Sequence, residues 1–316
     1  MKRITTSILM LAAFLISGLS AFAEDFLINP SYIAQTGYGA TKESAESAAL
    51  AAISKFFQMS IEVKAQEQTT VTNAGTNSTM SEEVFVNSQT ELFAVHYTKP
   101  KFDKKQKQYE VTAYIDREKA WRIYEPKIED SVQSFEQFYS NAISQSDNLS
   151  KIIGLSRASK EAKQSELIKK LDFALILNPD RAEKYGGTRN KISDIEAAIR
   201  KLAKKCSVSV KVSSDYEERV SKSVKGTFSK LGIKTLDENA EYLCSAEISE
   251  NAQTLPAGSF FTPSFTIQIE KAGEVIYSVS RQLKKIGAKN EAVAKQRAYS
   301  ALAGEIQKSL QSELAL

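Results

Sequence analysis

The sequence predicts an α+β protein built as two small sandwich modules, each with helices on one face of a mainly antiparallel sheet, joined by a helical connector. Three observations predict it. Apolar residues recur at helical spacing near both ends of the chain, at 45–57 and 294–314. Stretches of strict alternation lie beside each of them. The middle of the chain, from about 118 to 204, keeps helical spacing throughout. The 316 residues, 42% hydrophobic and 25% charged, suit an ordinary globular chain with room for two domains or three small ones.

The amino terminus reads as an export signal. Lys2 and Arg3 precede an apolar run from Ile8 to Leu19, and Ala21-Phe22-Ala23 supplies a small-x-small cleavage pattern before Glu24. The run is shorter than the roughly 20 residues that span a bilayer, so cleavage is favoured over anchoring. The expected location is a bacterial periplasm, or association with the outer membrane. Removing residues 1–23 takes Lys2 and Arg3 from the 42 basic residues, leaving 40 against 38 acidic ones. A near-neutral chain gives no general case for nucleic acid as a partner.

The first module is expected over 24–117. Ala45, Ala48, Ala49, Ala52, Ile53, Phe56 and Phe57 form one helical stripe. Thr41 is placed to cap it, and Glu43 and Glu46 suit its positive end. Ile61, Val63 and Ala65 alternate as a strand, as do Tyr109, Val111, Ala113 and Ile115. Further apolar stretches at Val84–Asn87 and Leu92–Tyr97 and a polar loop at 72–83 lie between them.

The connector is expected over 118–204 as two or three antiparallel helices. Ser144–Ser150 interrupts it, and Asn178-Pro179-Asp180 stops a helix. The last module, 205–316, reads β-α-β-β-β-β-α. Gly232 ends its first helix, residues 271–274 form a turn, and Asn290 caps the final helix.

Candidate chemistry is sparse. Gly37-Tyr38-Gly39 before a helix raises the question of a phosphate loop, but Lys42 stands where a dinucleotide fingerprint needs its last Gly, and Glu43 follows where a Walker loop needs Ser or Thr. With Glu46 and Glu62 also near, the glycines read as a tight turn from strand into helix, and no cofactor is expected. His96, the one histidine, lies in a strand-like run with no Gly-x-Ser-x-Gly elbow elsewhere. It reads as a sheet residue. The carboxylates are spread along helix faces beside Lys, and no pair stands out for acid–base work.

Cys206 and Cys244 leave two alternatives open, a disulfide in an oxidising compartment or two buried thiols. Trp121 and Tyr124 read as core, with a wedge between units as the alternative. Adjacent Phe260 and Phe261, between Pro256 and Pro263, point to opposite sides of any strand. Residues 255–263 therefore read as an exposed connection offering one ring to a partner or membrane surface, or folding back over the sheet. Lys99, Lys101, Lys104 and Lys105 form a basic turn that suits anionic lipid or a wall polymer.

The leading strand, Gly37-x-Gly39, the helix with Ala45, Ala48, Ala49 and Ala52, and the strand run Tyr109–Ala120 together resemble the Lpp-twenty outer-membrane lipoprotein family and the amino-terminal domain of flagellar assembly protein T. The last module resembles the amino-terminal α/β domain of TolB in element order. These resemblances imply a non-enzymatic envelope protein that assembles with larger machinery, and they bring no catalytic residues. No Cys follows the apolar run at 8–19, where the lipoproteins carry theirs. The leading expectation is a non-catalytic scaffold or assembly module whose partners are envelope proteins or wall polymer, with at most peripheral membrane contact. The alternatives are an envelope hydrolase built around His96 and a glycan or small-ligand binder in a groove of either sheet.

Overall fold

The structure, a computed structural model, describes residues 26–71 and 94–314. The expected signal segment, the loop at 72–83 and the stretch at 84–87 lie outside the described residues. The chain is an α+β protein in two compact units. The first comprises the described residues up to Glu129 together with Lys169–Lys184, and the second comprises Asp130–Ile168 with Tyr185–Leu314. The helices read as a separate connector are thus divided between the two units.

The first unit holds a small antiparallel sheet. Strand β1 (Tyr32–Gly39) pairs with β4 (Gln108–Asp116), from Tyr32 opposite Asp116 to Gly39 opposite Tyr109. The other side of β4 takes β2 (Val95–Tyr97) and β3 (Lys101–Asp103), two pieces of one strand broken around Pro100. Thr98 bridges the break: its N–H donates to Thr112 O at 2.9 Å, and its Oγ1 accepts from Thr112 N at 2.9 Å. Helix α1 (Lys42–Val71) lies on one face of this sheet, burying Ala45, Ala49, Ile53 and Phe57 against Ile33, Val111, Ala113 and Ile115. Thr41 caps it as the sequence implies. Ser44 N donates to Thr41 Oγ1 at 3.1 Å, and Thr41 N donates back to Ser44 Oγ at 3.0 Å.

Two expectations for this unit are corrected. No strand forms at 61–65, because α1 runs through to Val71. Period-2 alternation over five residues is ambiguous, and with no Gly or Pro between 42 and 71 nothing stops a helix already nucleated upstream. Gly37 and Gly39 do not make a tight turn; both are paired residues of β1. Their role is close approach. A Cβ on Gly37 would stand 2.1 Å from Ala49 N, and one on Gly39 would stand 2.5 Å from Ala45 N. The strand rests directly on the helix backbone.

The remaining elements of this unit are the first part of α2 (Arg117–Ser144), most of α4 (Leu167–Leu177) and the short α5 (Pro179–Ala182). Trp121 is fully buried, and the Tyr124 ring lies 4.5 Å from that of Phe173, so both are core residues of the first unit. The Arg117 guanidinium donates to the carbonyls of Ile176 and Leu177, the latter at 2.9 Å, satisfying acceptors that the end of α4 leaves without an intrahelical donor.

The second unit starts with the remainder of α2, then α3 (Asn148–Gln164) and α6 (Gly186–Ala203). Its sheet runs in the order β10 (Ile286–Ala288), β8 (Gly258–Lys271), β7 (Tyr242–Leu255), β5 (Ser207–Ser213), β6 (Lys234–Thr235), with β9 (Glu274–Gln282) also on β8. Strand β5 is parallel to both β6 and β7. Strands β8, β9 and β10 pair antiparallel. Helices α7 (Arg219–Lys230) and α8 (Glu291–Leu314) pack together and bury one face of the sheet, including Tyr242, Cys244, Phe265, Ile267 and Ile269. Gly232 closes α7 at φ +79°, with Ile233 N donating to Phe228 O at 3.0 Å. Asn290 Oδ1 accepts from Ala292 N at 2.8 Å and caps α8.

Asp147 caps α3. Its Oδ1 accepts from Ser150 N at 2.9 Å and from the Tyr242 hydroxyl at 3.2 Å. Burial works to raise this carboxyl, but the hydrogen bonds from Ser150 and Tyr242 prevail and hold it below its ordinary range. A carboxyl depressed in the folded state adds stability above its unfolded-state pKa, and that contribution disappears as pH falls through the folded-state value. Thermal melts across the acid range are therefore expected to show part of the loss of stability cancelled by Asp147→Asn, which keeps a capping oxygen but does not titrate.

Candidate functional site

At one end of the first sheet the chain from Lys99 to Lys107 forms the β3–β4 hairpin. The turn is set by Asp103, whose Oδ1 accepts from Lys105 N at 2.7 Å and from Gln106 N at 3.2 Å. Lys107 follows at φ +53°. Because this turn satisfies itself, the side chains around it are turned outward. Lys99, Lys101, Lys104, Lys105 and Lys107 are all exposed. Phe102 is 47% exposed, its ring 5.0 Å from that of Tyr109 on the paired strand. Lys42, the first residue of α1, places its Nζ 5.9 Å from the Tyr109 ring centroid. On the other face of the sheet at the same end, Tyr38 is 49% exposed, opposite Glu110. Burial first, then Glu110 and Asp103, push its hydroxyl pKa up.

The four lysines picked out in the sequence thus gather at this end. Sequence reasoning missed Phe102, Tyr38, Tyr109 and Lys42. Phe102 stands within the lysine run and was legible there. The others needed the strand pairing, which brings residue 109 beside 39 and 102.

At the β1–α1 junction the two glycines serve packing. Helix backbone fills the space above Gly37, the Ser44 amide is taken by Thr41, and Glu43 sits in the first turn. Hydrogen bonds from its own backbone N–H and from Thr41 hold the Glu43 carboxyl below its ordinary range, so a negative charge already occupies the positive end of the helix.

Away from α1, the sheet presents an aromatic face. Phe26 stacks on Tyr114 with centroids 4.1 Å apart, Tyr32 meets Phe26 edge-on at 5.0 Å, and the His96 ring lies 5.6 Å from Tyr114. His96 is exposed and sits opposite Tyr114 in the β2–β4 pairing, the sheet residue its sequence context implies.

In the second unit the exposed connection expected at 255–263 is corrected. Residues 258–263 belong to β8, and only Pro256-Ala257 lies between β7 and β8. Phe261 is 2% exposed and packs against Ala294 and Ala298 of α8, with Ile286 and Ala288 beside it. Phe260 points the other way. Its ring covers Gly287, and Lys285 Nζ lies 5.0 Å from its centroid. Pro263, which argues against a strand interior, falls where β9 has ended and β10 has not begun. Its carbonyl accepts from Leu283 N at 2.9 Å. N–H and C=O of one strand residue point to the same side, so the missing donor faces this gap and breaks no ladder bond.

The disulfide alternative is corrected too. Both thiols are free and buried. In the parallel β5–β7 register Val210 lies opposite Cys244, which puts Cys206 four residues off level. At strand spacing that separates the two by about 13 Å, well beyond the roughly 7 Å Cα limit for a bridge. Burial pushes Cys206 up to about 11, with Glu241 and Asp147 adding to it, and pushes Cys244 up to about 12. A thiol reagent at mildly alkaline pH is expected to titrate neither cysteine in the native protein and both after unfolding in guanidinium. A denatured, unreduced chain with no titratable thiol would contradict this.

Among the described residues, no helix is long and apolar enough to cross a membrane. No protein-family model matches the sequence, and no curated protein matches it. Among solved structures the chain is similar to a minor lipoprotein of Acinetobacter baumannii, at 15% identity over 34% of this chain and 90% of that one, with a TM-score of 0.28. It is similar to a secreted protein of Helicobacter pylori, at 12% identity over 90% of this chain and 99% of that one, with a TM-score of 0.39. A lipoprotein of Neisseria meningitidis aligns at 13% identity over 33% of this chain and 99% of that one, with a TM-score of 0.22. At these scores the likenesses assign neither family nor function.

Proposed function

We propose that this chain is an exported, non-catalytic binding protein of the cell envelope, acting as a scaffold or assembly module through the hairpin end of its first unit. One observation carries the reading. Five exposed lysines and two half-exposed aromatic rings share one end of a small sheet. A charged turn alone needs no function, but Phe102 keeps about half its surface in solvent beside those lysines, and Tyr38 does the same on the other face of this end.

The glycines at 37 and 39 serve the packing of β1 on α1, which gives them a structural role and leaves the hairpin as the feature without one. The sequence resemblance to outer-membrane lipoproteins and to flagellar assembly protein T makes outer-membrane or flagellar components the partners to try first. Site-specific photo-cross-linking in cells tests the reading. A probe at Lys104 or Lys105 is expected to give adducts that a probe at exposed Lys230, in α7, does not. Equal adducts from both positions would overturn it.

A further inference from the structure

We propose that the hairpin end of the first unit docks on the surface of an anionic phospholipid bilayer. The proposal rests on the reading of this end as the contact surface and names the partner.

The charge balance is one-sided. Lys99, Lys101, Lys104, Lys105 and Lys107 lie within nine residues, and Lys42 joins them from the start of α1. Among the described residues four carboxylates are near, Glu46 being one turn along α1 from Lys42. Asp103 is engaged by the amides of Lys105 and Gln106. Glu43 is held by hydrogen bonds at the first turn of α1. Glu110 lies opposite Lys101 in the pairing of β3 with β4. Lys104, Lys105 and Lys107 lie in the turn beyond the last paired residues, Asp103 and Gln108.

Phe102 decides between anionic surfaces. A soluble polyanion or wall polymer is held by the ammonium groups and gains little from an apolar ring standing out of the sheet. A bilayer uses both. Lysine stems extend along the interface with their ammonium groups on lipid phosphates, while an aromatic ring sits at headgroup depth. Phe102 is 47% exposed, carried on a short strand, and braced by Tyr109 from behind. Tyr38, on the opposite face of the same end, adds a ring with a polar tip, the kind of side chain that suits a boundary between apolar and wet regions.

The test is vesicle flotation with the purified chain from Glu24 onward, which contains every described residue. Vesicles of phosphatidylcholine containing phosphatidylglycerol are expected to carry the protein, and pure phosphatidylcholine vesicles to leave it behind. Raised salt should release it. Lys104→Gln with Lys105→Gln is expected to weaken binding about thirtyfold, at about 1 kcal/mol for each lysine near the surface. Phe102→Ser should weaken it about tenfold, while Phe260→Ser, in the second unit, should leave it unchanged.

Failure to float with phosphatidylglycerol would overturn the proposal. So would flotation indifferent to Phe102→Ser, which would assign the lysines to a soluble polyanion instead. If flotation fails while probes at Lys104 and Lys105 still cross-link in cells, the bilayer is excluded and the binding role of the hairpin stands. If both fail, the hairpin is not the contact surface.

Discussion

Gly37→Ala is expected to destabilise the first unit by about 3 kcal/mol or more, at or above the top of the usual range for overpacking a core. The added methyl would meet Ala49 N at 2.1 Å, Ala45 O at 2.5 Å and the Ala48 carbonyl carbon at 2.6 Å, all of them helix backbone. A clash with a side chain can be relieved by a rotamer change. A clash with backbone requires α1 to lift from the sheet, which opens the contacts of Ile53 and Phe57 with Val111 and Ala113. Trp121 is the only tryptophan and is buried in the first unit, so its fluorescence in a urea titration reports this unit. The control is Gly226→Ala within α7, where nothing lies within 4 Å of the new Cβ and helix propensity predicts a gain of about 0.5–1 kcal/mol. A harmless Gly37→Ala would mean that strand and helix are not in direct backbone contact.

Phe261→Ala is expected to cost the second unit about 3–5 kcal/mol, as for other buried aromatics. Phe260→Ala should cost about 1 kcal/mol, because its ring is only partly buried and loses mainly its cover over Gly287. The asymmetry separates a strand from a loop. In a strand one ring enters the core between β8 and α8 and the next leaves it. In an exposed connection both substitutions would be mild. Chemical denaturation followed by circular dichroism distinguishes the outcomes. Two equally small effects would contradict the placement of residues 258–263 in β8.

Much of the fold was legible because its signals are local. Thr41, Asn178, Gly232 and Asn290 mark helix ends through hydrogen bonds or dihedral angles that neighbours a few residues away define. The stripe of α1 was readable for the same reason. What failed depended on residues far away in sequence. The 61–65 alternation mimics a strand only while the helix already running from Lys42 is ignored. Residues 255–263 look like a connection because the gap between β9 and β10 that shelters Pro263 involves residues 282–286. Gly37 and Gly39 stand out in the sequence as a turn, whereas their cause is the helix backbone overhead. At the candidate site the lysines were visible as a run, but their convergence with Tyr38, Tyr109 and Lys42 required the β1–β4 register. The two cysteines were a choice between alternatives that only the β5–β7 register decides.

The central claim is that the exposed lysines of the β3–β4 hairpin make this protein's contact with the envelope. Its most direct test is cell fractionation of a variant with Lys99, Lys101, Lys104 and Lys105 all changed to Gln, with circular dichroism confirming the fold. The account predicts that the wild-type protein stays with the envelope fraction and the variant moves to the soluble fraction. Equal retention of both would contradict it.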